Sequence, residues 1–472
     1  MSEYADFIAR KLAIQPPTGL TGPFMLPASL FPFQSDVTRW ACKRGRCAIF
    51  AGTGLGKTAM SLSWAQEVAR HTQGNVIVLA PLAVARQTRD EGARIGVDVT
   101  VCRESSDVRP GINVTNYDRL DRFAGMSWSG VVLGESSIIK HHDAKTFAAL
   151  CEAFSGTAFK LCETATPAPN DHTELGQHAE FLGICTRQEM LSEFFVHDGG
   201  ETQKWRLKRH AKAQFWRWVA SWAAMLRKPS DLGYDDGDYN LPPLTVHEHI
   251  IAASIDTYRA AGLLIPMEAR GLNEQRKARK GSIADRVKAC ADTVNAEPSE
   301  PWIVWCDLNE ESTQLTKAIA GAIEVTGSMT AEEKERAIND FIEGRARVIV
   351  SKCSIMGWGL NFQHAARMAF VGVTHSWEAY YQAVRREWRF GQKREVIVHV
   401  FASEAEGGVV ANLKRKEIDA QRLGEELARE TADAVRAEIR GQTRTVNEYA
   451  PRVRLTVPTW LKSEVTNEES AS

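Results

Sequence analysis

The stretch Ala51-Gly52-Thr53-Gly54-Leu55-Gly56-Lys57-Thr58 follows a short apolar run, CAIFA (47–51), and opens a helical pattern, AMSLSWAQEVAR. Strand, glycine-rich loop and helix in that order make a phosphate cradle. Glycines let backbone N–H groups approach the phosphates, and the helix N-terminus adds its dipole. Gly52, Thr53, Gly54 and Gly56 would form the loop, Lys57 would reach the β and γ oxygens, and the Thr58 hydroxyl would take Mg²⁺.

Working outward, apolar runs of the same kind recur between helical patterns at 75–80, 130–133, 158–162, 302–306, 347–351, 368–373 and 396–401. Strands alternating with helices imply parallel sheets covered on both faces. One group of runs ends before about residue 170 and the other starts after about 300, so the fold class is α/β with two such sheets. Between them, Lys204 to Lys228 carries eight Lys/Arg, no acid and four tryptophans (205, 216, 218, 222). Phe215, Trp218, Trp222 and Met225 share one face of a helix there, which favours core packing over base stacking; the charges on the other face suit a phosphate track. LPPL (241–244) reads as an extended connector. Residues 409–440 form one long helical pattern with apolar Leu423, Leu427 and Val435. Without sustained heptads, packing on the second lobe is expected rather than a partner coiled coil.

Composition removes several function classes. Lys+Arg 58 against Asp+Glu 59 leaves a net charge of −1, so nucleic-acid binding would need local basic patches. Nine scattered cysteines include no C-x-x-C pair or zinc spacing, which fits reduced thiols in a cytosol. No apolar segment approaches ~18 residues and the start lacks a signal-peptide pattern, so a membrane role is not expected. His141-His142 have no partner at metal spacing and read as loop histidines.

The order FQSDVTRW, AGTGLGKT, LAPLAVARQ, VTNYDRL, VVLGESSIIK, TATPAPND, MGWGLNFQHA, YYQAVRREWRFGQ resembles the Swi/Snf-like branch of superfamily two helicases over roughly residues 30–405, especially its short bacteriophage-type members. The A-x-x-G-x-G-K-T form of the phosphate loop, with Ala51 in place of glycine, is also helicase-like. The resemblance implies two RecA-like lobes that bind ATP and Mg²⁺ in the cleft between them and move on duplex or branched DNA, in a bacterial or phage-infected cytosol. By position, Gln34 would read adenine, Glu135 would orient the attacking water and touch the metal shell, and Gly357, Gly359 and Asn361 would face the cleft. Gln382, Arg386 and Arg389 would sense the γ-phosphate from the opposite lobe; an arginine there can be worth ~10³ to 10⁵ in rate. Pro81, Arg86, Asn116, Tyr117 and Thr166 are the candidate DNA contacts, to backbone rather than bases. The expected divisions are an N-terminal extension (1–28), lobe one (29–175), its helical basic-aromatic insertion (176–240), connector and start of lobe two (241–295), lobe two (296–405), and helix with polar tail (406–472). A monomer is expected, with any cleavage of DNA left to a separate nuclease or a replication or recombination partner.

Two residues depart from the pattern. Where the family has a metal-holding aspartate before Glu135, this chain has Gly134, and losing one outer-sphere anchor costs ~10 to 100-fold in metal affinity or activity. Glu163 ends the AFKLC run where an apolar or hydroxyl residue is usual, so it either replaces the aspartate near the metal, faces solvent, or pairs with a lysine or arginine. Glu387, among the arginines, has no account at this level. Three readings follow: a DNA translocase with weakened hydrolysis, a nucleotide-gated DNA-binding or scaffold module with little turnover, and, less in keeping with the GLN and R-x-G-Q signatures, an RNA helicase.

Overall fold

A computed structural model describes residues 16–81, 84–140, 145–168, 171–197, 205–252, 279–356, 360–372, 376–404 and 408–439. Two all-parallel sheets organise the chain, the two RecA-like lobes expected from the apolar runs. In the first lobe the strands are β1 (Arg46–Ala51), β2 (Val76–Ala80), β3 (Val99–Val101), β4 (Ile112–Asn116), β5 (Gly130–Gly134), β6 (Phe159–Thr164) and, after a small β7 (Phe195–His197) and β8 (Trp205–Leu207) hairpin, β9 (Ala223–Leu226). Their spatial order is β3-β4-β2-β5-β6-β1-β9. In the second lobe β10 (Leu244–Ile251), β11 (Trp302–Cys306), β12 (Ala322–Val325), β13 (Val348–Lys352), β14 (Arg367–Val371) and β15 (Val396–Ser403) lie in the order β10-β15-β14-β11-β13-β12.

Burial on both faces is what lets these strands read as continuous apolar runs. Alternate residues feed separate cores: Ala48, Phe50, Val131, Leu133 and Cys162 on one face of the first sheet, Cys47, Ile49, Val132 and Leu161 on the other. The second face is covered by the helix Lys57–Thr72 through Met60, Trp64 and Val68. Glu163 follows Leu161 at the two-residue period of β6 and so falls on that same covered face. It interrupts an otherwise apolar row at the C-terminal edge of the sheet, which is where open parallel sheets bind ligands.

Two regions differ from the sequence reading. The 176–240 segment is not an all-helical insertion. Its helix Lys212–Ala220 stops after nine residues, and Ala223–Leu226 pairs with β1 as the seventh strand of the sheet. Phe215, Trp222 and Met225 are buried in the core as expected, but the last two are held by strand and turn rather than by one helical face. The short AAML run lacks the β-branched residues that marked the other strands, so only its neighbour β1 reveals it.

The C-terminal helix Gly408–Ile439 packs on the first lobe rather than the second. It lies against Lys212–Ala220, β9 and the helix Pro32–Arg44, sinking Leu427 and Val435 into the two cores of that lobe. Near its start Lys414 pairs with Glu248 of β10 at 2.6 Å, and further on Lys212 pairs with Glu426 at 2.5 Å, so one helix touches both lobes. A stripe this sparse identifies a buried face without identifying the groove that buries it. Among the described residues no helix is long and apolar enough to cross a membrane.

Candidate active site

The loop after β1 turns through left-handed glycines before the helix that begins at Lys57. At Gly54, where φ is 89°, an added Cβ would stand 2.8 Å from the backbone nitrogen of Phe390 in the second lobe, so only glycine permits this approach between lobes. Lys57 Nζ donates to Ala51 O at 3.0 Å, lying back over the loop carbonyls. Gln34 is buried against the loop: its Nε2 donates to Leu55 O at 3.0 Å while its Oε1 accepts from Phe31 N at 3.0 Å. The rings of Phe31, Tyr239 and Phe390 gather beside it, Tyr239 and Phe390 with centroids 4.5 Å apart. The second N–H of Gln34 reaches toward the Tyr239 hydroxyl at 3.5 Å, and its Oε1 keeps one lone pair for a further donor.

The motif that carries Glu135 leaves the end of β5. Glu135 itself sits at φ 52°, a left-handed conformation uncommon for any residue but glycine and asparagine, and such strain collects at functional sites. Its carboxylate accepts from Thr164 Oγ1 at 3.4 Å. Behind it, Ser136 Oγ lies 3.0 Å from His178 Nε2, and burial pushes that imidazole down to about 4, keeping it neutral. Tyr117 donates its hydroxyl to Gly134 O at 2.8 Å.

Gly134 and Glu163 are register partners on the parallel pair β5 and β6, so their side chains share a face. A Cβ added at Gly134 would meet Glu163 Oε1 at 3.5 Å and Leu79 O at 3.0 Å. Glu163 is 7% exposed, and its Oε2 is buried without a hydrogen-bond partner among the described residues. Burial raises its carboxyl to about 7, opposed first by the charge of Lys57 and then by the Ser61 hydroxyl, with Glu135 and Glu91 pushing it further up. The alternatives of solvent exposure or of a lysine or arginine salt bridge do not hold for this side chain.

From the second lobe, the helix Trp377–Val384 and the turn after it bring Gln382, Arg386 and Arg389 to the cleft. Arg386 is 2% exposed, fastened by Nε to Gln382 O at 2.8 Å, by Nη2 to Gln382 Oε1 at 2.8 Å and by Nη1 to Leu360 O at 3.0 Å. Arg389 Nη1 donates to Leu360 O at 3.3 Å. Burial lowers both guanidiniums, Arg386 to about 10, and Glu135 across the cleft is the leading charge opposing the fall in Arg386, with Glu91 leading and Glu135 following in Arg389. The turn that carries the arginines abuts the glycine loop at Gly54, and the charge of Glu135 reaches both guanidiniums across the cleft. Gly357 and Gly359 lie outside the described residues, as do His141 and His142.

The candidate DNA contacts divide. Asn116 is buried, and Tyr117 directs its hydroxyl at the β5 backbone, so neither presents a donor to a ligand outside. Arg86 is ion-paired with Glu335 of the second lobe, and Thr166 donates to Glu378 Oε1, also of the second lobe, at 3.3 Å. Pro81 is half-buried at the end of β2. What the sequence reading took for a DNA-facing row is thus in good part a set of contacts between lobes.

Glu378 was missed by sequence reasoning: it is buried between Lys140 and Thr166 of the opposite lobe, and no motif spacing marks it. Glu91 was missed too; burial raises its carboxyl against the charges of Arg94, Arg389 and Lys57. A cavity of about 490 Å³ adjoins the phosphate loop at Gly52, Thr53 and Leu55 and is closed by Trp388 and Phe390 and by Glu425 of the C-terminal helix. It does not include Lys57, Glu135 or Glu163, so it neighbours the phosphate site rather than coinciding with it. Among the described residues no three His, Cys, Asp or Glu side chains gather as a ready-made metal site. The donors present, two carboxylates and the Thr58 hydroxyl, suit Mg²⁺, which keeps several waters and leans on substrate phosphates.

Residues 285–391, which span β11 to β14 and both cleft arginines, match the family model described as helicase conserved C-terminal domain. The second lobe is similar to a helicase C-terminal domain. Within the same comparison of sequences, the ATP-dependent RNA helicase FAL1 of Kluyveromyces lactis is 26% identical over 106 residues, 22% of this chain and 26% of that relative's length. Of solved structures, the Sulfolobus solfataricus SWI2/SNF2 ATPase core in complex with dsDNA aligns with 88% of this chain and 98% of its own, at 17% identity and a TM-score of 0.41. The strand order above, not that likeness, establishes the fold. The family-model match thus falls within the second lobe, and this chain spans about a quarter of the length of the curated relative it matches.

Proposed function

We propose that this chain is an ATP-driven motor on duplex or branched DNA, hydrolysing MgATP in the cleft between its lobes. The observation that carries this reading is the approach of the second lobe's Arg389–Phe390 turn to Gly54 of the glycine loop, with the charge of Glu135 favouring both arginines from the first lobe. A cation that meets the γ-phosphate only when the lobes approach couples hydrolysis to movement, because closing the cleft completes the charge-stabilising shell. When bound, Mg²⁺ would neutralise charge on the β and γ oxygens. Lys57 and the loop amides would hold the phosphates, Glu135 would orient the attacking water, and Thr164 would steady Glu135. Thr166 would pass lobe position to this site through Glu378. DNA would be gripped through its backbone by residues that include Arg86 once its ion pair with Glu335 opens.

A specific observation also favours the second reading, a nucleotide-gated DNA-binding module: Gly134 lacks the carboxylate and Glu135 is held in a strained backbone. Steady-state ATP hydrolysis with and without double-stranded, single-stranded and forked DNA, and with RNA, separates them. Stimulation by DNA supports the motor. Tight ATP binding with no stimulation by any DNA sinks it and supports the gated module, and stimulation by RNA alone would make the chain an RNA helicase.

A further inference from the structure

An anionic ligand for Mg²⁺ is missing from the end of β5, yet the space beside it is not empty of carboxylate. Parallel neighbours lie about 4.8 Å apart, a gap that a glutamate, one methylene longer than aspartate, can lean across. Register places Glu163 directly beside Gly134, on the face covered by the phosphate-loop helix. Its Oε1 stands 3.5 Å from where a Cβ at position 134 would begin, so it already borders the volume that an aspartate there would fill. Its Oε2 is buried without a hydrogen-bond partner among the described residues, and buried polar atoms are as a rule partnered. By contrast the buried Glu311 of the second lobe has Arg286 at 2.7 Å.

We infer that Glu163 supplies from β6 the metal-anchoring carboxylate that Gly134 lacks on β5, so that Glu163, Glu135 and Thr58 together hold the Mg²⁺ of bound MgATP. The inference rests on the reading of the cleft as an ATP site and specifies which residues of this chain complete it. The two positions are alternatives for one job. An aspartate at 134 in the presence of Glu163 would press its Cβ to 3.0 Å from Leu79 O and put a second carboxylate against the first. Adding the aspartate alone should therefore not improve the site, whereas adding it where Glu163 has been replaced should restore most of what that replacement loses.

The test is binding of Mn²⁺, followed by electron paramagnetic resonance, to the protein saturated with a non-hydrolysable ATP analogue. Glu163→Gln is expected to weaken Mn²⁺ about 10 to 100-fold while leaving metal-free analogue binding unchanged. Gly134→Asp alone is expected to bind no more tightly than the parent, and Gly134→Asp with Glu163→Gln to recover most of the loss. Glu163→Gln keeps side-chain shape, and its melting temperature reports that it is folded. Unchanged Mn²⁺ affinity in Glu163→Gln, or a folded double variant as weak as Glu163→Gln, overturns the inference. Metal binding that depends on Glu163 in a chain whose hydrolysis no nucleic acid stimulates would instead refute the motor reading and leave this one standing.

Discussion

Two buried glutamates, Glu163 in the first lobe and Glu387 in the second, share a defect: each has carboxylate oxygen buried without a hydrogen-bond donor among the described residues. Their surroundings differ. Glu163 sits on the face of the phosphate-loop helix, and Lys57 is the strongest charge favouring its ionised form. Glu387 is fully enclosed between the arginines and the core of the second lobe; burial raises it well above the usual carboxylate range, with Arg394 and Arg367 the charges that oppose the rise. An unsatisfied acid therefore points to function only where its neighbourhood leaves room for a ligand to satisfy it. Glu163 stands at the ligand-binding edge of the sheet under the influence of Lys57, and Glu387 does not.

The comparison can be broken most forcefully at the arginines around Glu387. Arg389→Ala is expected to lower kcat by about 10³ with a near-unchanged melting temperature, since among the described residues its guanidinium is hydrogen-bonded to Leu360 O alone. If Arg389→Ala turned over like the parent, the second lobe would contribute no charge to the reaction. Arg386→Ala should lose as much activity and also stability, because its guanidinium holds both Gln382 and Leu360.

Next in size, Glu387→Gln should stabilise the protein by about 1 to 3 kcal/mol near neutral pH, because the buried carboxyl must take up a proton on folding and the amide need not, with turnover unchanged. The sign of its pH dependence follows from the raised folded value. The native carboxyl binds a proton that the unfolded one releases, so the parent has its full stability below the ordinary carboxylate pKa and loses it as pH rises toward the folded pKa. The advantage of Glu387→Gln should thus be larger at pH 8 than at pH 5 in thermal melts. A gain larger at pH 5 would mean that Glu387 is ionised and paired. The smallest effect is expected at the contact between lobes: Glu378→Gln should cut stimulation by DNA about tenfold, with basal hydrolysis within twofold. An equal loss in both would place Glu378 in the hydrolysis step rather than in coupling.

The phosphate loop was legible because its chemistry demands local backbone geometry, and glycines at fixed spacing are the only residues that supply it. Eight strands were legible because burial on both faces leaves an uninterrupted apolar run, while β3, β4, β9, β10 and β12 were hidden by short length, polar residues or exposed faces. The inward turn of the Asn116 and Tyr117 side chains was not legible, because a sequence motif fixes the end of a strand without saying which way its polar groups turn. Glu378 was invisible, since one glutamate on a helix carries no spacing to notice.

By itself, the sequence determined the two α/β lobes and the glycine-rich loop between β1 and its helix, because each of these is written in periodicity or in a local motif. Only the tertiary structure decided that Gly134 and Glu163 are neighbours, that the C-terminal helix returns to the first lobe, and that the turn after Arg389 abuts the glycine loop at Gly54. These are contacts between segments far apart along the chain, and they depend on strand register and on which groove a helix finds, quantities that packing sets and local pattern does not record.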